Sequence, residues 1–289
     1  MFPPHATEKL PAARSRALRS PILADVAKLM GIVNVTPDSF SDGGLFLDPE
    51  RAIGHGRELA NEGAEVLDIG GESTRPGARP VSAEEEIRRV EPVVERLAGD
   101  PTLGAALSID TSKLAVAAAA LDAGAAMVND VTALRHEPEL AELCADRGCE
   151  VVLMHMQGTP RTMQENPTYD DVVEDVKAFL AERVEFALRR GIREEAIWID
   201  PGIGFGKTLE HNLELLRRLG ELRELGRPLV VGTSRKSFIG RITGCEPAER
   251  LGGTIASNVL ALAAGAEMLR VHDVAEARDA VTVASAILG

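Results

Sequence analysis

The sequence predicts an α/β fold, a single TIM-type (β/α)8 barrel, and three observations point to it. Eight short apolar runs recur along the chain, most are followed by a stretch with helical periodicity, and each run ends in a polar or charged residue. Strands alternating with helices pair in parallel through right-handed crossovers. A barrel gathers all its C-terminal strand ends on one rim, where the βα loops build a site. A doubly wound open sheet has the same periodicity and is the alternative fold.

In chain order, KLMGIV leads to Asn34 and a helix over 49–62, AEVL to Asp68 and a helix over 82–97, and ALSI to Asp110 and a helix over 112–123. AAMV leads to Asn129 and Asp130 with 137–147, VVLM to His155 with 170–190, and AIWI to Asp200 with 209–219. LVVGT leads to Ser234 with 249–264, and EMLRVH, which carries Arg270 and His272, to 274–288. Runs this apolar suit strands buried on both faces. Two loops, 34–48 (NVTPDSFSDGGLFLD) and 70–81 (GGESTRPGARPV), are long and follow the first two strands. Loops of that kind often carry function, and these are expected to be mobile and to close over a ligand. Taken singly, Thr36, Pro37, Asp38 and Ser39, or Ser73 and Thr74, serve equally well as turns and helix caps.

A length of 289 residues with 45% hydrophobic content fits one large domain, placed at 28–289 after an N-terminal extension over 1–27. The extension is rich in Pro, Ala and Arg and lacks the apolar stretch of a secretory signal, so it is expected to be loosely ordered. The net charge of −13 argues against a general nucleic-acid or anionic-membrane surface, and no run reaches the roughly 18 apolar residues of a membrane span. Cys144, Cys149 and Cys245 form no paired framework, which fits a cytoplasmic protein, and they complete no zinc set.

The chemistry sits at the strand ends. Asp110 and Asp200 close apolar runs, where a carboxylate is costly without a partner, so they invite a ligand with several N–H donors; alternatively they cap helices or pair with Lys236. Asn129 both donates and accepts. Together Asp110, Asn129, Asp200 and Lys236 suit an amino-substituted heterocycle with an amide. Arg270 and His272 lie two apart and therefore share a strand face; an arginine fork grips phosphate, although a surface pair with Asp273 or Glu267 is the plainer alternative. Arg75, Arg235, Lys236, Arg270 and His272 could form a local cationic pocket inside an acidic protein. Asn34 offers a neutral oxygen to a hard ion such as magnesium. The run GIGFGK has neither the dinucleotide nor the P-loop spacing, and no covalent triad is visible.

With these residues in view, the chain resembles the dihydropteroate synthase family. MGIVNVTPDSFSDGG at 30–44 and LDIGGESTRPGA at 67–78 are the specific signals, and SIDTSK at 108–113, VND at 128–130, DPGIGFGK at 200–207, SRKSFIG at 234–240 and RVHD at 270–273 follow in the family's order. The resemblance implies condensation of 6-hydroxymethyl-7,8-dihydropterin diphosphate with p-aminobenzoate to give 7,8-dihydropteroate and diphosphate in folate biosynthesis, by a magnesium-dependent transferase, a sulfonamide target, that works as a homodimer. It implies that Asp110, Asn129, Asp200 and Lys236 hold the pterin, and that Thr74, Arg270 and His272 hold the diphosphate. Asn34 would help to bind magnesium, and Phe40, Arg75, Pro76, Phe205, Lys236 and Ser237 would surround the aminobenzoate. Arg270, His272, Lys236, Asp110 and Asp200 are the expected catalytic groups. A corrinoid-linked methyltransferase barrel shares pterin recognition but needs no diphosphate clamp, and a non-catalytic pterin-binding paralogue is the other rival.

Overall fold

The computed structural model describes residues 27–36, 49–73 and 80–288. Of the predicted extension it describes Ala27 alone, and most of the first long loop and the centre of the second lie outside the described residues.

Eight strands form one parallel sheet: β1 (Lys28–Asn34), β2 (Val66–Gly70), β3 (Ala106–Asp110), β4 (Met127–Asp130), β5 (Glu150–Met154), β6 (Ile197–Asp200), β7 (Val230–Val231) and β8 (Met268–Val271). Their order is β6-β5-β4-β3-β2-β1-β8-β7, a ring cut once. The cut is bridged, because Ile199 of β6 pairs in parallel with Leu229 just before β7, and the Ile199 amide donates to the Pro228 carbonyl at 3.0 Å. The barrel is thereby closed and the open-sheet alternative falls. β2 runs on past Asp68, which the sequence placed at a strand end, to Gly70.

The helices are α1 (Pro49–Glu62), α2 (Ala83–Ala98), α3 (Leu114–Asp122), α4 (Leu140–Arg147), α5 (Val172–Arg189), α6 (Leu209–Arg217), α7 (Ser237–Thr243), α8 (Leu251–Ala263) and α9 (Val274–Leu288). The predicted first and last helices coincide with α1 and α9. The predicted start of α6 also coincides with the observed one, and those of α2 and α5 take in the capping residues. Ser82 Oγ accepts from the Glu85 amide at 3.2 Å, and Asp171 accepts from Val173 and Glu174 at 2.9 and 3.2 Å. Glu137, expected to open a helix, instead reaches back to accept from the Leu114 amide at the start of α3, at 2.6 Å. Helix α7 lies outside the predicted helices: it is seven residues long, buries Phe238 and Ile239 and stops at Gly244 in the left-handed region. Two turns of helix are too short to show a 3.6-residue period.

The two-residue pleat of the strands separates core from site. Outward-facing residues such as Leu67, Ile109, Leu153, Ile199 and Leu269 join one large apolar cluster with the helices. Inward-facing Met30, Val66, Met127, Val152, Trp198, Val230 and Met268 form a separate apolar floor inside the barrel. One inward position further along the same strands come Asp68 after Val66, Asn129 after Met127, Asp200 after Trp198 and Arg270 after Met268. The polar pocket therefore stands directly on the floor, at the C-terminal rim.

Candidate active site

Asp68 anchors the pocket. Its carboxylate is fully buried and accepts from Ser108 Oγ at 2.7 Å, Asn129 Nδ2 at 2.9 Å and Arg270 Nε at 2.6 Å. Arg270 also donates from Nη2 to Asp110 Oδ2 at 2.8 Å. Burial works against the guanidinium charge, but Asp68 and Asp110 outweigh it and hold the Arg270 pKa above its ordinary value. Asp110 lies on the edge of this network with its side chain 11% exposed. Burial, only partly offset by Arg270 and reinforced by Asp68, pushes its carboxyl up to about 7. The surface pair considered for Arg270 is not formed with Asp273, which is held instead by Arg235, with Nε at 3.0 Å. Arg235 thus leaves the cationic pocket that the sequence suggested.

Asn129 spends an N–H on Asp68, so its amide orientation is set and its carbonyl oxygen is available to a ligand. Across the barrel, Asp200 is buried and accepts from the Gly202 amide at 2.6 Å. Burial raises its pKa, with the Lys236 charge opposing. Lys236 does not close an ion pair with it; its Nζ donates to the Ile203 carbonyl and lies 4.5 Å from the Phe205 ring centroid. Burial brings the Lys236 pKa down to about 8, with Asp200 holding it up. A carboxylate and an ammonium that are close but not fused leave both open to a ligand's donors and acceptors.

Beside this group on the rim, His272 Nδ1 is 2.9 Å from Ser234 Oγ, which also accepts from the His272 amide at 3.2 Å. Asn34 is the last residue of β1, the strand paired with β8. Phe205 packs on Val131, Met154, Met156 and Met163, and Ser237 opens α7 at the surface. Phe40, Thr74, Arg75 and Pro76 lie outside the described residues.

Asp110, Asn129, Asp200, Lys236 and Arg270 line one cavity of about 20 Å³, walled by Met154, Val131 and Phe205. A cavity of about 370 Å³ shares Asp110 and Val131 with it and extends under Ser73 and Pro80, past Lys113 and Arg135. The larger space is the less reactive. Its Lys113 is consumed by Glu72 and Glu86, and its Arg135 donates to the Thr132 and Met156 carbonyls. The convergent, ligand-facing polar groups belong to the smaller one. Asp130, adjacent to Asn129, points away and pins the following turn through Thr132 and the Leu134 amide, at 2.7 and 2.6 Å.

Two residues with consequences for the site went unassigned in the sequence. Asp68 was visible only as a charged residue in an apolar run, a signal that shows burial without showing the partner. Lys207 was quoted within GIGFGK and given no role, yet it is one of the most deeply buried charged residues in the barrel.

The comparisons with known proteins agree with this geometry. The model of the pterin binding enzyme family matches residues 30–272. The Escherichia coli K12 dihydropteroate synthase is 48% identical over 260 residues, covering 90% of this chain and 91% of that one. The Xanthomonas albilineans dihydropteroate synthase solved with 4-aminobenzoic acid superposes with a TM-score of 0.85 at 52% identity, covering 91% of this chain and 93% of that one. The Xanthomonas albilineans enzyme in complex with 7,8-dihydropteroate gives 0.82 at 49% identity, with coverages of 91% and 94%.

Proposed function

This chain belongs to the pterin-binding enzyme family, among the dihydropteroate synthases, and from there we propose the reaction and the roles of its residues. The reaction is the condensation of 6-hydroxymethyl-7,8-dihydropterin diphosphate with p-aminobenzoate to 7,8-dihydropteroate and diphosphate, a transferase step of folate biosynthesis. The observation that carries it is the polar ring of Asp110, Asn129, Asp200 and Lys236 standing on an apolar floor. Carboxylates there accept the N–H groups of a pterin, Asn129 and Lys236 complement its carbonyl and ring nitrogens, and the floor takes the flat edge. A bicyclic ring needs more room than the 20 Å³ present, and the long side chains of Lys236 and Phe205 are the ones able to withdraw.

Substitution at the pterin methylene is dissociative. The C–O bond to diphosphate breaks with its electron pair leaving on oxygen, and the amine nitrogen then forms the C–N bond and loses a proton. Asp110 and Asp200 favour the cationic pterin through their negative charge. Arg270 has two of its five N–H groups on Asp68 and Asp110, which leaves the others for the departing diphosphate; His272 would join it, and the resemblance adds Thr74. Phe205, Lys236 and Ser237, with Phe40, Arg75 and Pro76 by the family resemblance, would enclose the aminobenzoate, whose fixed position substitutes for nucleophilic strength.

Among the described residues no cluster of His, Cys, Asp and Glu could hold a metal by itself. A magnesium ion fits all the same, because such an ion keeps most of its waters and needs few protein ligands beyond substrate phosphates; Asn34 would supply one oxygen on the rim. When bound it would neutralise charge on the leaving group.

A homodimer in the cytoplasm completes the proposal. Leu260 on α8 and Val283 and Ile287 on α9 are exposed apolar side chains that a second copy would cover, and no described helix is long and apolar enough to cross a membrane.

The test is magnesium-dependent diphosphate release from the pterin diphosphate with and without p-aminobenzoate, alongside detection of dihydropteroate. Release coupled to that product supports the reading; tight pterin binding with neither product would make the chain a binding module.

A further inference from the structure

The amine of Lys207 is a buried ionisable group that the reaction leaves unused. Lys207 is 2% exposed and, among the described residues, forms no ion pair. Its Nζ lies 2.8 Å from His155 Nδ1, 3.0 Å from the Gly202 carbonyl oxygen and 2.9 Å from that of Phe205. Burial holds its pKa well below that of an ordinary lysine. An amine so placed is costly unless each of its hydrogens has an acceptor, and here the acceptors come from two places: His155 directly after β5, and the loop over 201–206 after β6.

That loop turns on glycines, with Gly204 bonded to Asn212 and Gly206 to Tyr169. Gly202 and Gly206 stand at φ of +65° and +62°, a region glycine enters freely and side chains avoid. A Cβ on Gly202 would strike the His155 carbonyl, and one on Gly206 would come within 2.6 Å of the Gln157 carbonyl. At these two glycines the backbone itself is pressed against the strand-5 end, while between them Ile203 is buried and Phe205 packs on apolar neighbours. The loop supports two of the four pterin-binding groups: the Gly202 amide fixes Asp200, the Ile203 carbonyl receives Lys236, and the Phe205 ring lies beneath Lys236.

We infer that Lys207, received by His155, is a positioning residue: a tether that fixes the loop over 201–206 and, through it, sets Asp200 and Lys236 in register for the pterin ring. The inference rests on the pterin reading above. His155 is suited to the part. Burial first, then the charge of Lys207, push its pKa down to about 2, so the ring stays neutral and Nδ1 stays an acceptor, with the proton on Nε2. Tyr169 and Phe179 pack on the ring, at centroid distances of 5.9 and 4.9 Å.

The experiment compares wild-type protein with H155N, H155L and K207M. Asparagine offers an Oδ1 close to the place of Nδ1, whereas leucine removes the acceptor. The readouts are fluorescence titration with 7,8-dihydropteroate, KM for the pterin diphosphate and kcat, each at a temperature below the measured unfolding midpoint. H155L and K207M are expected to weaken pterin binding and raise that KM by about tenfold or more, the scale of a lost bond to a charged group. Their kcat at saturation should fall much less, and H155N should bind nearly as the wild type does. Unchanged binding in H155L and K207M would overturn the tether, as would H155N binding as poorly as H155L. If K207M fails to fold, the two His155 variants decide alone. Wild-type protein that does not bind the probe would overturn the function first, and the tether with it; wild-type binding with unaffected variants overturns only the tether.

Discussion

Replacing Asp68 tests whether a residue that need not touch substrate organises the site. Its two oxygens accept from Ser108, Asn129 and Arg270. In Asp68→Asn the amide can turn its NH2 toward the Ser108 hydroxyl, which is free to accept, and keep its oxygen toward Asn129 and Arg270. The contacts then survive and only the charge is lost. A bond to a charged partner is worth about 1.5–3 kcal/mol against roughly 1 for a neutral one. With two such bonds weakened, and Arg270 still held by Asp110 at 2.8 Å, the cost is about 2 kcal/mol, or about thirtyfold in an equilibrium constant. Asp68→Ala removes all three bonds and leaves a buried guanidinium short of a partner, which costs about 3–5 kcal/mol. Urea denaturation with and without pterin, together with kcat/KM for the pterin diphosphate, separates the loss of fold from the loss of site. The expected order is wild type, Asp68→Asn, Asp68→Ala in both readouts. Two variants indistinguishable from wild type, or an asparagine as damaging as alanine, would refute the reasoning.

Lys236→Ala and Asp200→Ala should each lower kcat/KM by more than about tenfold, the value of one charged hydrogen bond, with circular dichroism unchanged; less than about threefold for both would count against the pocket. The pH profile of kcat/KM for the pterin substrate should be bell-shaped. Asp110 must be ionised to accept, so activity is lost as pH falls through about 7, and Lys236 must be protonated to donate, so activity is lost as pH rises through about 8. Asp110→Asn should remove the acid limb, and a profile flat across both values would exclude these assignments. Chelation should abolish diphosphate release and added magnesium restore it, while pterin binding measured by fluorescence changes little; release that is indifferent to chelator would remove the metal from the scheme.

The architecture was legible because parallel strands buried on both faces leave an apolar run that a polar residue must end. The same logic located Asp110, Asn129, Asp200 and Arg270. It failed where partner choice decides the role. Nothing in a single sequence distinguishes Arg270 facing Asp273 from Arg270 facing Asp68, because the two aspartates differ in barrel position and not in local pattern. Helix α7 was hidden by its length. The tethering amine was hidden because two of its acceptors are backbone carbonyls, which every residue carries, and the third, His155, lies 52 residues away along the chain. The motif resemblance reached residues such as Arg75 and Phe40, which periodicity does not single out.

The barrel's closure has a thermal consequence. Seven of the junctions between neighbouring strands are laddered, but β6 and β7 meet through a single bridge at Ile199 and Leu229. Like a cask with one loosely hooped seam, the wall should breathe there first, and amide exchange should begin at that join. The proposed pterin reaches Asp200 on one side of the seam and Lys236 on the other. A bound substrate then acts as a hoop, and the protein is most resistant to heat when its pocket is filled.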